Sequence, residues 1–336
     1  MSESKTTSLY DFHLSKNAKV IDFAGWSMPF SYDGTLKEHH YVRESAGYFD
    51  VSHMGRLRLN YSQIEEINYL ICSDLKNISN TKALYSIFTS EDGTAIDGVI
   101  FWKFEDELIL ICNASNTNKI KTHLDIHSIN YEDLTTTTDL IAVQGKNAID
   151  IVSNIMSVPE KFSTSKEGKY VYARTGYTGE DGLEVMLDTN DTLSFISELE
   201  KNGVKPCGLG SRDTLRLEAG LCLYGHDLNE KINPIEANLL FAISKSKREA
   251  GGFKGWEKMK DLMNSGPKTL RVGIKPNGKI IAREGTKIYS QDNQEIGVVT
   301  SGTFGPSLNY PVAMGYVKKE FSTIGSKLML EVRGKK

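Results

Sequence analysis

A carboxylate and a glycine stand together at the start of an apolar segment, in GTAIDGVIFW at residues 93–102. A carboxylate beside a ligand can take up or release a proton, which makes Asp97 a candidate general acid or base. The neighbouring Gly98 has no side chain, and glycine inside a strand often marks a bulge. The pair therefore predicts either a catalytic Asp97 or a position at which a working group is missing.

A second candidate is the glycine-rich segment RTGYTGEDGLEV, residues 174–185. Its glycines allow the backbone to approach a flat ligand, while Tyr177 offers a ring face and Glu184 offers acceptor oxygens. A plain hairpin accounts for the same residues, because GEDG is a good turn sequence. The pattern alone leaves both interpretations open.

Two arginines lie four residues apart in GSRDTLRLEAGL, so Arg212 and Arg216 share one face of a predicted helix. Such a pair can grip an anionic ligand or a planar amide. It can equally form an ion-pair network with Asp213 and Glu218, and the sequence does not separate these two roles.

Polar residues at the ends of strands supply further candidates. Asn113 in CNASN can contact the edge of a heterocycle or cap the next helix. FDVSHMG (49–55) places His53 and Met54 between a short apolar strand and a glycine. His123 and His127 share a helical face, but the third ligand and the glutamate of HExxH are absent, so a solvated helix face is favoured over a metal site.

The elements that position these residues follow from periodicity. Apolar spacing predicts a helix over 62–72 and another over 191–203, capped by Asp191. GSRDTLRLEAGL is a further helix, with Ser211 as its cap and Gly220 at its end. Residues 83–112 read as three strands of an antiparallel meander, residues 245–260 as a polar connection, and residues 268–335 as an all-β module.

Composition excludes several classes of protein. The 336 residues carry a net charge of −3, and no apolar run approaches the roughly 20 residues of a membrane span. We therefore expect neither nucleic acid nor membrane as partner. MSESKTTSLYDF has neither the apolar core of a secretory signal nor an Arg-rich transit helix, which favours a cytoplasmic protein. The four cysteines form no CxxC pair and are best explained as buried thiols.

Taken together, these segments resemble the aminomethyltransferase family, the T-protein of the glycine cleavage system. The resemblance runs from residue 7 to about residue 334. It is carried, in order, by FAGWSMPFSY, EHHYVRESAGYFDVSHMG, ALYS, LICNASN, IAVQG, RTGYTGEDGLE, KPCGLGSRDTLRLEAGLCLYGHDL, NPIEANL and VVTSGTFGPSL.

The resemblance implies an α+β fold, a three-domain cloverleaf with antiparallel sheets, helices packed on them and an all-β C-terminal barrel or jelly-roll module. The implied division is a discontinuous folate-binding domain (1–53 with 139–244), an antiparallel α+β domain (54–138), a connection (245–265) and a C-terminal β-barrel domain (266–336).

The implied activity is transfer of a one-carbon unit from aminomethyl-lipoyl H-protein to tetrahydrofolate, with release of ammonia. Tetrahydrofolate is the acceptor substrate, and the lipoyl group is supplied by the carrier protein. The implied partner is thus the lipoylated H-protein, and we expect a monomer apart from that complex. No metal is implied, because N5 of the folate is already a nucleophile.

The family's site residues carry over onto this chain one by one. The implied folate contacts are Met54, Tyr85, Asn113, Tyr177, Glu184 and Arg212. The implied catalytic residues are Asp97 and Arg212.

One departure bears on the chemistry. The family usually has two consecutive acids where this chain has Asp97 and Gly98, and the acting residue is the second. Because successive strand residues face opposite sides, Asp97 replaces it only if Gly98 forms a bulge. Two alternatives stay open: a folate-binding relative with weakened or lost transfer chemistry, and a tetrahydrofolate-dependent methyltransferase or demethylase.

Overall fold

The computed structural model describes residues 4–336. The strands are β1 (Lys5–Thr6), β2 (Lys19–Phe23), β3 (Trp26–Ser31), β4 (Gly47–Asp50), β5 (Gly55–Asn60), β6 (Ala83–Thr89), β7 (Ala95–Lys103), β8 (Glu107–Cys112), β9 (Tyr131–Asp133), β10 (Thr138–Gln144), β11 (Thr164–Glu167), β12 (Tyr170–Ala173), β13 (Gly182–Asp188), β14 (Lys205–Pro206), β15 (Thr269–Ile274), β16 (Lys287–Tyr289), β17 (Glu295–Gly305), β18 (Tyr310–Lys318) and β19 (Met329–Leu330). The α-helices are α1 (Tyr10–Ser15), α2 (Thr35–Glu44), α3 (Ile64–Leu70), α4 (Thr117–Ile126), α5 (Ala148–Val152), α6 (Thr189–Lys201), α7 (Leu209–Glu218), α8 (Lys245–Ala250) and α9 (Trp256–Ser265).

The chain forms two compact units. The first comprises residues 4–67, 75–85 and 99–215, and the second comprises residues 68–74, 86–98 and 216–336. The finer division at residues 53, 138, 244 and 265 stays a prediction. Among residues 4–336, no helix is both long enough and apolar enough to span a membrane.

The first unit is built around a six-stranded sheet in the order β11-β12-β13-β10-β4-β14. Its neighbours are antiparallel except for the short parallel pair of β14 with β4. Both faces are buried, which explains why β10 is nearly continuously apolar. Ile141 and Val143 face a core shared with α5 and α6, while Leu140 and Ala142 face a second core.

A five-stranded sheet follows the order β6-β7-β8-β5-β9, which confirms the three strands predicted over 83–112. β5 and β8 are antiparallel, and their ladder begins with Gly55 opposite Cys112. A Cβ on Gly55 would lie 2.6 Å from both Cys112 Sγ and Thr117 Oγ1. Only glycine permits this close approach of the strand to the start of α4.

The C-terminal part of the second unit is an antiparallel five-stranded sheet in the order β15-β18-β17-β16-β19. Its buried core includes Ile288, Val299, Ala313 and Val317. The α+β class, the antiparallel sheets and the all-β C-terminal module predicted from the sequence are therefore confirmed.

Two predicted helix caps are wrong. α6 is capped by Asp188, whose Oδ1 accepts a hydrogen bond from Asn190 N at 2.9 Å, so Asp191 lies in the first turn instead. Ser211 lies inside α7 rather than at its start, and its hydroxyl donates to Gly208 O at 2.9 Å. The end of α7 near Gly220 is confirmed, because that residue has a left-handed φ of 72°.

The segment predicted as a polar connection over 245–260 contains most of α8 and α9. Its helices form because the segment is not solvated throughout: Lys247 is only 4% exposed and Met259 is buried. The Lys247 ammonium donates to the main-chain oxygens of Asn68 and Ile71. Hydrogen bonds of this kind satisfy a charge that the sequence pattern assigns to solvent.

The Gly55→Ala variant tests the contact between β5, β8 and α4. We expect a loss of roughly 1–3 kcal/mol in the free energy of unfolding, because the added methyl group must displace packed atoms. Gly273→Ala in β15 is the matched control, since nothing lies within 4 Å of its Cβ position and its φ suits any residue. Thermal unfolding measures both, and equal melting temperatures for the two variants would contradict the close contact.

Candidate functional site

Four residues form a row across one face of the six-stranded sheet. In the register of the strands, Glu184 lies between Ala173 and Ala142, and Ala142 in turn lies opposite Phe49. Ala173, Ala142 and Phe49 all contribute to the second core. Because the alanine side chains are short, the Glu184 carboxylate stands above its neighbours on both sides.

Glu184 keeps an acceptor available although it is only 4% exposed. Its Oε2 accepts a hydrogen bond from Thr175 Oγ1 at 2.6 Å. Its Oε1 accepts none from residues 4–336. A carboxylate has about four lone-pair positions, so Glu184 can still accept from a ligand that presents adjacent N–H groups.

Arg212 brings a cation to the same face. Its guanidinium lies over the Tyr177 ring at 4.9 Å and over the Phe49 ring at 5.9 Å from the ring centroids. Burial lowers the pKa of Arg212, while the nearby Glu184 and Tyr177 act to raise it. Arginine stays protonated near neutral pH, so the site combines a cation, two aromatic faces and a carboxylate.

A buried carboxylate fixes the start of α7 and with it Arg212. Glu38 Oε2 accepts from Gly208 N at 2.8 Å, while its Oε1 accepts from Tyr32 N at 2.6 Å and from Gly34 N at 3.0 Å. A Cβ on Gly208 would lie 2.3 Å from Phe30 O. Glu38 thus satisfies the Gly208 amide at the start of α7, which would otherwise be buried without an acceptor.

The loop between β12 and β13 is held from behind by Gln144. Gln144 Nε2 donates to Thr175 O at 3.0 Å, and Thr178 Oγ1 donates to Gln144 Oε1 at 3.2 Å. A Cβ on Gly176 would lie 1.8 Å from Gln144 Oε1, and one on Gly182 would lie 2.1 Å from Val143 O. The glycines of this motif therefore serve the close packing that places Tyr177.

Arg56 holds the turn that carries His53 and Met54. Its five N–H donors go to Ser52 O, Met54 O, Thr135 O, Thr138 O and Thr138 Oγ1, at distances between 2.6 and 3.0 Å. The side chain is fully buried, and burial lowers the pKa of Arg56 to about 10.

Asp50 holds the same turn from the other side. Its Oδ1 accepts from Ser52 N at 2.8 Å, while its Oδ2 bonds His13 Nε2 and Thr7 Oγ1, both at 2.8 Å. Burial raises the pKa of Asp50, but the hydrogen bond and charge of His13 outweigh it and lower that pKa to about 2. Asp50 is therefore ionised across the physiological range.

The remaining predicted folate contacts lie on the five-stranded sheet. Gly55, the first residue of β5, pairs with Cys112, the last residue of β8. Met54, directly before β5, and Asn113, directly after β8, therefore lie at the same end of this strand pair. Asn113 occupies the N-cap of a short 3₁₀ helix without a capping bond from its side chain. Tyr85 is half-buried on β6.

Asp97, the acid of the segment GTAIDGVIFW, is fully buried on β7. Buried and half-buried residues alternate without a break from Ala95 to Phe101, so Asp97 lies on the strand face of Val99. Gly98 lies on the opposite face, with Ile100. Burial therefore gives no sign of a bulge over these residues, and the catalytic role of Asp97 stays a prediction.

Arg216 does not share the role of Arg212. It is 3% exposed, and its guanidinium bonds Asp227 Oδ2 at 2.7 Å and Ser301 Oγ at 2.9 Å within the second unit. The predicted ion-pair role is confirmed for Arg216, with Asp227 as a partner that spacing did not predict, while a network with Asp213 and Glu218 stays a prediction.

The ring centroids of His123 on α4 and of His127, the C-cap residue of that helix, lie 4.9 Å apart, as their spacing predicts. Within residues 4–336, no group of three or more His, Cys, Asp or Glu side chains is arranged to hold a metal ion.

His53 is a residue whose place in the site the sequence analysis did not assign. It is 5% exposed, and its ring meets Phe23 edge-on at 5.5 Å. Burial lowers the pKa of His53 to about 4, which the Arg212 and Arg56 cations reinforce and the Asp50 carboxylate opposes. The feature of the sequence that could have indicated its place is its position directly before Met54, in the segment SHMG.

Comparisons with known proteins agree over the whole chain. The GCVT N-terminal domain family matches residues 9–247, and the glycine cleavage T-protein C-terminal barrel domain family matches residues 270–336. The mitochondrial aminomethyltransferase of Dictyostelium discoideum is 38% identical, covering 99% of this chain and 90% of that protein. The aminomethyltransferase of Staphylococcus haemolyticus is 37% identical, covering 99% and 95%. The crystal structure of glycine cleavage system aminomethyltransferase T from Bartonella henselae gives a TM-score of 0.94 at 34% identity, covering 98% of this chain and 94% of that one.

The buried His53 predicts a pH dependence of stability. With a pKa of about 4 in the folded chain and about 6.5 when unfolded, the unfolded state binds more protons between these values. Stability therefore falls as pH drops from 6.5 toward 4, by about 3 kcal/mol in total. In His53→Gln this decrease is absent.

Unfolding followed between pH 4.5 and 7 measures the difference. The control is His40→Gln, a half-exposed histidine near the end of α2. Parallel pH profiles for His53→Gln and the natural chain would contradict a neutral, buried His53.

Proposed function

The chain belongs to the glycine cleavage T-protein family of aminomethyltransferases, and we propose that it transfers a one-carbon unit to tetrahydrofolate through the site around Glu184 and Arg212. The predictions of a transferase and of glycine cleavage aminomethyltransferase function are confirmed by this membership. The observation that carries the proposed site is the joint placement of a carboxylate, a buried cation and aromatic faces on one face of the six-stranded sheet.

Glu184 suits the pterin ring of the folate. The 2-amino group and the neighbouring ring N–H form a pair of parallel donors, which a carboxylate accepts with two oxygens. Glu184 Oε1 accepts no hydrogen bond from residues 4–336, and Oε2 has capacity beyond its bond from Thr175. Arg212 and Tyr177 add a charged donor and a ring face beside it.

The reaction exchanges bonds at one carbon. The aminomethyl carbon loses its bonds to nitrogen and sulfur and gains bonds to N5 and N10 of tetrahydrofolate. The protons released from N5 and N10 leave with the amine, as ammonia, and with the sulfur, as a thiol. We assign the orientation of the folate to Met54, Tyr85 and Asn113, the handling of protons to Asp97, and a fixed positive charge beside the reacting groups to Arg212.

The donor in this proposal is a lipoylated H-protein, which supplies the aminomethyl group on its lipoyl sulfur. The support is the family membership and the name of the Bartonella henselae relative, a glycine cleavage system protein. A cytoplasmic location and a monomeric state apart from the carrier complex stay predictions from the sequence.

Glu184→Gln tests the folate contact. Replacing one acceptor oxygen by an amide donor removes a charge-assisted bond, so tetrahydrofolate binding weakens roughly 10- to 100-fold. Glu180→Gln is the matched control on the same loop, because Glu180 instead pairs with Arg43 at 2.9 Å. Anaerobic titration with tetrahydrofolate gives both dissociation constants, and equal values for the two variants would place the folate elsewhere.

Asp97 and Gly98 are tested by turnover of aminomethylated carrier. If Asp97 handles the proton, Asp97→Asn lowers kcat by roughly 10²–10⁴-fold while folate binding is unchanged. Gly98→Ala is the control for a change at the neighbouring position. Unchanged turnover in Asp97→Asn together with faster turnover in Gly98→Asp would instead assign the missing acid to position 98.

A further inference from the structure

The His53 imidazole is almost fully enclosed. It is 5% exposed, and its Nδ1 is out of contact with solvent and has no partner among residues 4–336. Its packing is apolar on the side of Phe23, whose ring meets it at an interplanar angle of 81°. An imidazole that served only to fill space here would leave Nδ1 buried without a partner, at a cost of about 1–3 kcal/mol.

A second enclosed nitrogen belongs to the same site. Arg212 Nη1 is likewise buried and has no hydrogen-bond partner among the described residues. Arg212 lies over the ring of Phe49 on β4, and His53 belongs to the turn that directly follows this strand. Each of these side chains thus has one buried nitrogen without a hydrogen-bond partner in the described part of the chain.

These two nitrogens have different chemistry. The guanidinium only donates, while the imidazole, kept neutral beside two arginines, has one nitrogen that donates and one that accepts. A ligand that satisfies both must be planar enough to enter beside the rings of Tyr177 and Phe49. It must also carry an acceptor next to a second polar ring atom. A reduced pterin, with its carbonyl oxygen and ring nitrogens on one edge, has this pattern.

We propose that His53 is a binding residue for the pterin ring of tetrahydrofolate, hydrogen-bonded to it through an imidazole nitrogen next to Arg212. This inference rests on the proposed function of the chain. It adds a contact beyond Met54, which the same turn carries. The turn is fixed by Arg56 and Asp50, so the imidazole is placed before the folate enters.

The natural chain provides the direct test. With histidine nitrogens labelled with ¹⁵N, the ring signals of His53 should shift when tetrahydrofolate saturates the protein, and one tautomer should become fixed. The other six histidines of the chain serve as internal references. The spectrum of His53→Gln identifies the signals.

Binding of tetrahydrofolate without a change at His53 would overturn the contact and leave the proposed function standing. A chain that binds no tetrahydrofolate at all would overturn both. Because the measurement uses the unaltered protein, it does not depend on whether a variant folds.

Variants add a quantitative test. His53→Leu should raise both the dissociation constant and the KM for tetrahydrofolate roughly tenfold, with the KM for the carrier unchanged. His53→Asn, which retains a polar group near the Nδ1 position, should recover part of that loss. His39→Gln is the control for loss of a buried histidine, since His39 Nδ1 already bonds Thr214 Oγ1 at 2.8 Å. Folate binding by His53→Leu as tight as in the natural chain would overturn the proposal.

Discussion

The buried guanidinium of Arg56, which bonds no carboxylate among residues 4–336, organises the site. Each of the five N–H groups of Arg56 reaches an oxygen, and four of these oxygens belong to the main chain. Main-chain oxygens cannot be supplied by another side chain, so the turns at 52–54 and 135–138 must keep their shapes together. Loss of one acceptor would leave a charged donor buried, which is among the least tolerable defects in a protein interior.

The consequence is that hydrogen bonds fix the backbone that carries His53 and Met54, in addition to the packing of their side chains against Phe23 and the second core. Asp50 fixes the beginning of the segment through Ser52 N, and Arg56 fixes its end. Glu38 does the same for the start of α7, which carries Arg212. His53 Nδ1 and Arg212 Nη1 are buried without a hydrogen-bond partner among residues 4–336, and the surrounding hydrogen bonds supply the stability that these atoms do not.

The sequence predicts elements better than it predicts polar partners. The strands over 83–112 and the helix over 62–72 follow from local periodicity and agree with β6 to β8 and α3. In GRLRLN, however, Arg56 and Arg58 occupy equivalent positions, and only the fold decides that Arg56 is fully buried while Arg58 is half-buried. Periodicity describes one face of a helix or strand. It contains no information about which residues of another helix, strand or loop will pack against that face.

The same limit applies to the site. Glu184, Tyr177 and Arg212 come together because the register of β13 and the start of α7 place them on one side of the sheet. In the sequence, these three residues could be selected as a set only through the resemblance to a family. Arg216 shows what spacing omits, since it also pairs with Asp227, eleven residues along the chain and beyond the helix. The enclosed state of His53 depends on Phe23, thirty residues away in sequence, and no local pattern predicts it.

The packing of Gln144 behind two glycines has a consequence for how this chain can change. Gly176 and Gly182 have no room for a methyl group while Gln144 keeps its length, and at Gly182 the main chain of Val143 also intrudes. A shorter residue at 144 would make space at 176 but would remove the hydrogen bonds to Thr175 and Thr178. Substitutions at these positions are thus conditional on one another, and the order in which they arise decides whether the intermediate protein still folds. The loop that carries Tyr177 is therefore expected to change as a block or not at all.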